Sequence, residues 1–183
     1  RAWRIARIAE LCRTEGVDGP VVSQPLYHAL NRTAEIEQLP ACHAYGLGVV
    51  VYSPIARGIL SGKYRPGQPP PEGSRADLQS QRMAQTEYRP GNLQAAARFE
   101  ELAKSKGVAP ASLAIAWVLA NPYVTSAIAG PRTLEQWGSY VEGTQIKFDA
   151  ADEAACNAIV AAGTTAIPHF IDPAYPVEGR PLD

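Results

Sequence analysis

The sequence predicts an α/β chain whose strands lie parallel in a sheet built from βα units. Three observations point there. Apolar residues recur at i, i+3, i+4 and i+7 in several stretches, beginning with Ile5, Ile8, Ala9 and Cys12. Short apolar runs, PVVSQPLY at 20–27, VVVY at 49–52 and VTSAIAG at 124–130, fall between those stretches. The VVVY run does not alternate polar with apolar residues, which is the pattern of a strand buried on both faces in a parallel sheet.

Taken in order, AWRIARIAELCRTEG reads as an amphipathic helix stopped by Gly16. In the strand that follows, Pro25 is expected to mark the end, because proline cannot donate to a ladder. Residues 33–45 return to helical spacing through Ile36, Leu39, Cys42 and Tyr45, with Pro40 dividing a leading turn from a helix that starts near it. After VVVY, residues 53–91 carry Pro54, Pro66, Pro69, Pro70, Pro71 and Pro90 with little periodicity, and read as one long functional loop. Asn92 is expected to cap the helix LQAAARFEELAKSK, which Gly107 closes, and Pro110 opens a helix running to Asn121. Thr133 with Gln136 and Asp149 with Asp152 form capping-box patterns for two more helices, the second over 150–162. Residues 1–162 thus hold the regular elements, and 163–183 form an irregular, proline-containing tail.

Composition narrows the function. The chain has 183 residues, 46% hydrophobic and 19% charged, enough apolar content to bury a core. Seventeen Lys and Arg against 18 Asp and Glu leave a net charge of -1, which gives no electrostatic reason to expect nucleic acid or a membrane surface. The longest apolar run, LAIAWVLA at 113–120, is far short of the ~20 residues that span a bilayer. Arg1, Arg4 and Arg7 recur at helical spacing with no cleavage site after them, so the start is not read as a signal peptide. Cys12, Cys42 and Cys156 form no C-x-x-C pair and suit buried thiols in a reducing cytoplasm. His28, His43 and His169 have no partner at metal-ligand spacing, and no metal site or catalytic histidine is expected.

Parallel βα folds bind ligands at the carboxyl ends of their strands. There is no G-x-G-x-x-G and no P-loop motif. Instead YSPIARGILSGKY at 52–64 gathers Arg57, Gly58, Ser61 and Lys63 in one loop, a set of hydroxyl, backbone and cationic donors suited to a diphosphate. Gly130 to Arg132 leads into a helix beginning near Thr133, and a helix N-terminus beside an arginine suits a phosphate. Tyr52, at a strand end, could stack on a flat heteroaromatic ligand.

Together VVSQPLYHALNR, GLGVVVYSPIARGILSGKY, PEGSRA, AIAWVLANPYVTSAIAGPRTLEQ and DPAYPVEGRP resemble the aldo-keto reductases, in particular a bacterial branch similar to the β-subunits of voltage-gated potassium channels. The resemblance runs through nearly the whole chain in order. It implies a partial TIM (β/α)8 barrel, with the three strands standing as strands six to eight, and an NADPH-dependent reductase of aldehydes or ketones. By the family pattern Gln24 would bond the nicotinamide carboxamide and Tyr52 would stack on the nicotinamide. Ser53, Pro54, Ile55, Arg57, Gly58, Ser61 and Lys63 would wrap the pyrophosphate, and Arg75 would reach the cofactor. Gly130 and Arg132 would hold the 2′-phosphate, with Gln136 towards the adenine. Where many members carry Glu and Asn for the adenine, this chain has Ser139 and Tyr140, preceded by Gly138.

The family's catalytic Asp, Tyr, Lys and His, and the Ser-Asn pair that grips the carboxamide, would fall on strands ahead of Arg1. With Met83 the single methionine, a start at Arg1 is expected to reflect truncation or processing. Three readings follow: the carboxyl-terminal half of a reductase, inactive alone; a non-enzymatic NADPH-binding interaction or sensor subunit; or a self-standing three-strand module. Exposed ladder edges would favour self-association of the chain on its own.

Overall fold

The structure, a computed structural model, describes residues 1–177. The end of the tail motif, from Glu178 on, lies outside the described residues. Helix α1 spans Ala2–Glu15, and Gly16 ends it in the left-handed region at φ 67, where a side chain would be strained. Although its apolar spacing is helical, α1 has no fully buried residue, and Trp3, Ile8 and Leu11 are exposed.

Strand β1 is Val22–Ser23, β2 is Gly48–Val51 and β3 is Ser126–Ala127. They form a parallel sheet in the order β1-β2-β3, with Val22 opposite Gly48 and Val50 opposite Ser126. The α/β prediction with parallel strands therefore holds. The first strand is shorter than the expected 20–27, and Pro25 bends the chain without ending its pairing. Its carbonyl accepts from Tyr52 N at 3.0 Å, and Leu26 bridges Tyr52 beyond it. In β2, Val49 and Val51 are buried whereas Gly48 and Val50 are half-buried, so one face is less covered than the lack of alternation implied. Val21 and Val22 at the β1 margin are 79% and 49% exposed.

A 3-10 turn at Thr33–Glu35 leads to helix α2, Gln38–Ala44, with Pro40 in its first turn where a missing N–H costs least. The 53–91 stretch is more structured than a loop reading implies. It holds a kinked 3-10 segment at Ala56–Ser61, the short helix α3 at Gln81–Gln85, and the beginning of α4, Pro90–Ser105. The α4 cap is Arg89, not Asn92. Proline's fixed φ seats Pro90 at the first helical position, and Asn92 turns inward to donate to the carbonyls of Thr86 and Glu87 at 3.2 and 3.0 Å.

Helix α5, Pro110–Ala120, is buried from Ser112 to Val118 because α4, the 3-10 segment and helix α6, Leu134–Gly143, all pack on it. Burial all round explains a helix without a polar face. The closest approach is at Gly143, where an added Cβ would lie 2.6 Å from Ser112 O and 2.7 Å from Ile115 Cβ. Helix α7, Ala150–Ile159, starts with the expected reciprocal Asp149–Asp152 box and ends before residue 162. The core is centred on Tyr27, Leu39, Ile59, Leu60, Met83, Phe99, Leu113 and Val118.

Past α7 the described residues form no helix or ladder strand, yet they dock. Arg32 N donates to Thr164 O at 2.8 Å, Ala166 N to Leu30 O at 3.0 Å, and Asn31 bridges Thr165. The buried Arg32 guanidinium reaches Glu35 at 2.8 Å, Val160 O and Glu153 at 3.0 Å each, and Asn157, and it stacks over Trp117.

Candidate functional site

Because the strands are parallel, the segments after β1, β2 and β3 all leave at the carboxyl-terminal end of the sheet. Gln24 is exposed there, between Ser23 and the Pro25 bend. Tyr52 is half-buried, and burial together with hydrogen-bonded Tyr175 of the tail pushes its hydroxyl up to about 12, against the opposing charges of Arg57 and Arg82. The tail is tied beside it by Arg82, whose Nη1 donates to Asp172 Oδ1 at 2.6 Å while Nη2 donates to Oδ2.

Beyond Tyr52 the backbone coils tightly. Ser53, Ala56 and Arg57 take φ of 57, 50 and 53, and Gly58 takes 98. Pro54 and Gly58 are buried, and Ile55 packs on the core. Ser61 Oγ donates inward to Gly58 O at 2.7 Å, so that proton is already committed. Lys63 is exposed, its Nζ 5.1 Å from the Tyr64 ring centre and its chain lying over Gly58, where a Cβ would meet its Cε at 3.4 Å. Arg57 donates through Nε to Glu87 at 2.9 Å. Two cations and a tight backbone coil form a donor set that fits a diphosphate.

After β3, Gly130 and Arg132 are exposed and no described atom would meet a Cβ at Gly130. Thr133 caps α6 by accepting from Gln136 N at 3.2 Å. The return contact differs from a capping box, since Gln136 Oε1 accepts from Arg132 N at 2.8 Å, one residue earlier. Gln136 therefore fixes the turn that carries Arg132 as well as standing near it. Ser139 Oγ donates to Glu135 O at 3.2 Å, while Tyr140 is buried. Burial raises the Tyr140 hydroxyl's pKa, and the positive charge of Arg75 opposes that shift.

Beneath the coil lies a buried polar cluster that the sequence reading did not single out. Glu87 is 2% exposed and His28 also 2%. Glu87 Oε2 accepts from Arg57 Nε and Thr86 Oγ1, and His28 Nε2 stands 3.9 Å from Oε1 without a hydrogen-bond partner. Burial raises the Glu87 carboxyl, but His28, Thr86 and Arg57 outweigh it and hold the pKa below the ordinary carboxylate range. A cavity of about 540 Å³ opens elsewhere, between Tyr27, Glu35, Trp117, Asn121 and Tyr123. Its lining includes none of the expected cofactor residues. Cys42 and Cys156 are buried and Cys12 half-buried, all three as free thiols.

Among the described residues no helix is long and apolar enough to cross a membrane. An uncharacterized oxidoreductase of Bacillus subtilis, YrpG, is 37% identical over 148 residues, covering 80% of this chain and 42% of that protein. A probable voltage-gated potassium channel subunit beta of Oryza sativa is 36% identical over 130 residues, 70% of this chain and 38% of that protein. A rat aflatoxin B1 aldehyde reductase, member 2, is 42% identical over 64 residues, 35% of this chain and 17% of that protein. The chain thus spans about two fifths of the first two relatives. The family model described as Aldo/keto reductase family matches residues 1–161, and the chain belongs to that family.

Proposed function

We propose that this chain is the cofactor-binding, carboxyl-terminal part of an NADPH-dependent oxidoreductase that reduces an aldehyde or ketone. In this reading β1, β2 and β3 are strands six to eight of a (β/α)8 barrel, residues 1–162 are its barrel elements and 163–183 its tail. The observation that carries it is that cationic turns follow the carboxyl ends of two adjacent parallel strands, Arg57 with Lys63 after β2 and Arg132 after β3. Tyr52 and Gln24 stand at the same end, where a nicotinamide would lie.

NADPH, when bound, supplies the hydride. The residues of this chain would orient it: Tyr52 against the ring, Gln24 at the carboxamide, the 53–63 coil around the diphosphate, and Arg132 at the 2′-phosphate. Arg75 would reach the cofactor and Gln136 would approach its adenine end, where Ser139 and Tyr140 stand in place of the Glu and Asn of many members. The proton for the carbonyl oxygen would come from the family's tetrad, which residues 1–183 do not carry in matching contexts. The partner is then a small carbonyl compound, with no role for nucleic acid or membrane, in a cytoplasmic protein.

Fluorescence titration of the full-length protein tests this. NADPH should bind more tightly than NADH, and aldehydes or ketones should oxidise bound NADPH. Absence of any NADPH binding sinks the reading. A second reading, a cofactor-binding sensor subunit, draws on the channel β-subunit relatives. It is favoured if NADPH binds and no carbonyl compound turns over.

A further inference from the structure

The sequence assigns the diphosphate loop its cations, but the structure adds the group that aims one of them. Arg57 sits in the left-handed region at φ 53 and ψ 24, a conformation that a non-glycine residue holds only when its surroundings enforce it. Its side chain is 18% exposed, and the Glu87 side chain that faces it is 3% exposed. The contact is one-sided: Arg57 donates through Nε to Glu87 Oε2 at 2.9 Å, and among the described residues neither terminal Nη group has a hydrogen-bond partner. A guanidinium pinned by Nε keeps its other edge, with two Nη groups, for an oxyanion.

Glu87 is itself held at one carboxylate oxygen and along its backbone. Thr86 Oγ1 donates to the same carboxylate oxygen, and the Asn92 amide holds the Glu87 and Thr86 carbonyls from α4. His28, from the chain after β1, closes the far side. Leu30 N donates to its Nδ1 at 3.2 Å, so neutral His28 carries its proton on Nε2, the atom 3.9 Å from Glu87 Oε1. The 53–63 coil and the β1 exit therefore meet at one carboxylate, whose backbone α4 holds through Asn92. Directly after Arg57, the Lys63 side chain lies over buried Gly58, in the same coil.

We propose that Glu87 is a positioning residue for the cofactor's diphosphate, holding Arg57 by Nε so that its two Nη groups face the phosphate oxygens. The inference rests on the NADPH reading given above and names a residue outside the cofactor set. Glu87 touches no cofactor atom in this arrangement and acts only through Arg57.

The test is a double-mutant cycle in the full-length protein, read by NADPH fluorescence titration and by competition with 2′-AMP, which lacks the diphosphate. E87Q should weaken NADPH binding about tenfold, the scale of one charge-assisted hydrogen bond. It should leave 2′-AMP binding unchanged and add nothing in an R57A background. Wild-type NADPH affinity in E87Q overturns the proposal. So does equal weakening of NADPH and 2′-AMP, which marks a general structural role, or a full tenfold loss persisting in R57A. If E87Q does not fold, R57K decides: it keeps the charge, but a single ammonium nitrogen cannot hold Glu87 and also present the planar two-nitrogen edge of a guanidinium, so affinity should fall by a similar factor, and wild-type affinity overturns the proposal. NADPH binding to the wild type with no effect of R57A overturns the role of Glu87 and leaves the cofactor reading standing, whereas no binding to the wild type sinks both.

Discussion

The contact between α5 and α6 makes a sharp quantitative prediction, because α6 carries two glycines in opposite surroundings. At Gly143 a Cβ would fall 2.6 Å from a backbone oxygen and 2.7 Å from Ile115 Cβ, so relief requires α6 itself to shift. Overpacking of this kind costs about 1–3 kcal/mol. Alanine's helix propensity returns up to about 1 kcal/mol in a helix interior, and less at a terminal residue such as this one. The Gly143→Ala variant should therefore lose about 1–2 kcal/mol, or roughly 2–8 °C in Tm at about 2–4 °C per kcal/mol. Gly138, inside the same helix, has nothing within 4 Å of its Cβ position. Gly138→Ala should gain about 0.5–1 kcal/mol through propensity alone. Thermal unfolding followed by circular dichroism on both variants gives the comparison. If both melt higher than the wild type, α6 is not seated on α5 as described.

Three further outcomes are expected. Arg132→Ala should lower the preference for NADPH over NADH about tenfold in paired fluorescence titrations, since a charge-assisted phosphate contact is lost; an unchanged ratio removes Arg132 from the 2′-phosphate. Asp172 is partly desolvated, which raises its pKa, but the bonds from Arg82 and Ala174 N and the nearby charge of Arg57 draw it below the ordinary carboxylate value. A depressed folded pKa stabilises above the unfolded value of about 3.9 and is lost as pH falls through the folded one, so limited proteolysis of 163–177 should accelerate below about pH 4. Asp172→Asn should be cleaved readily at every pH. Arg32→Ala strands Glu35 without its guanidinium and should cost about 3–5 kcal/mol in urea unfolding; a loss under 1 kcal/mol means the network is dispensable.

What the sequence made legible was local. The Ile5, Ile8, Cys12 spacing, Pro110 at a helix start and the Asp149–Asp152 box each depend on neighbours within two turns, and each appears where the pattern placed it. The α4 start misled because two signals compete in Arg89-Pro90-Gly91-Asn92. Either proline opens the helix or asparagine caps it, and the turn of Asn92 inward onto the Thr86 and Glu87 carbonyls just before the helix decided the matter. Glu87 was invisible for a related reason. Within Thr86-Glu87-Tyr88-Arg89 it looks like one surface charge among others, and its partners His28 and Arg57 come from segments that only the fold brings near. Gln136 lies between these cases: its cap was readable, but its bond to the Arg132 amide was not.

The return of the tail onto Asn31 and Arg32 also sets a clock for folding. Arg32 must wait for Val160, 128 residues further along, before its buried bonds are complete. At about 5–20 residues per second of synthesis, that interval is on the order of ten seconds. Until α7 is made, Arg32 has only its local partner Glu35 and the ring of Trp117, and the surface that α7 will cover stays open. The early segments of the chain can therefore collapse but not lock, and ribosome-bound intermediates ending before residue 160 should be the stage at which chaperone capture and misassembly compete with folding.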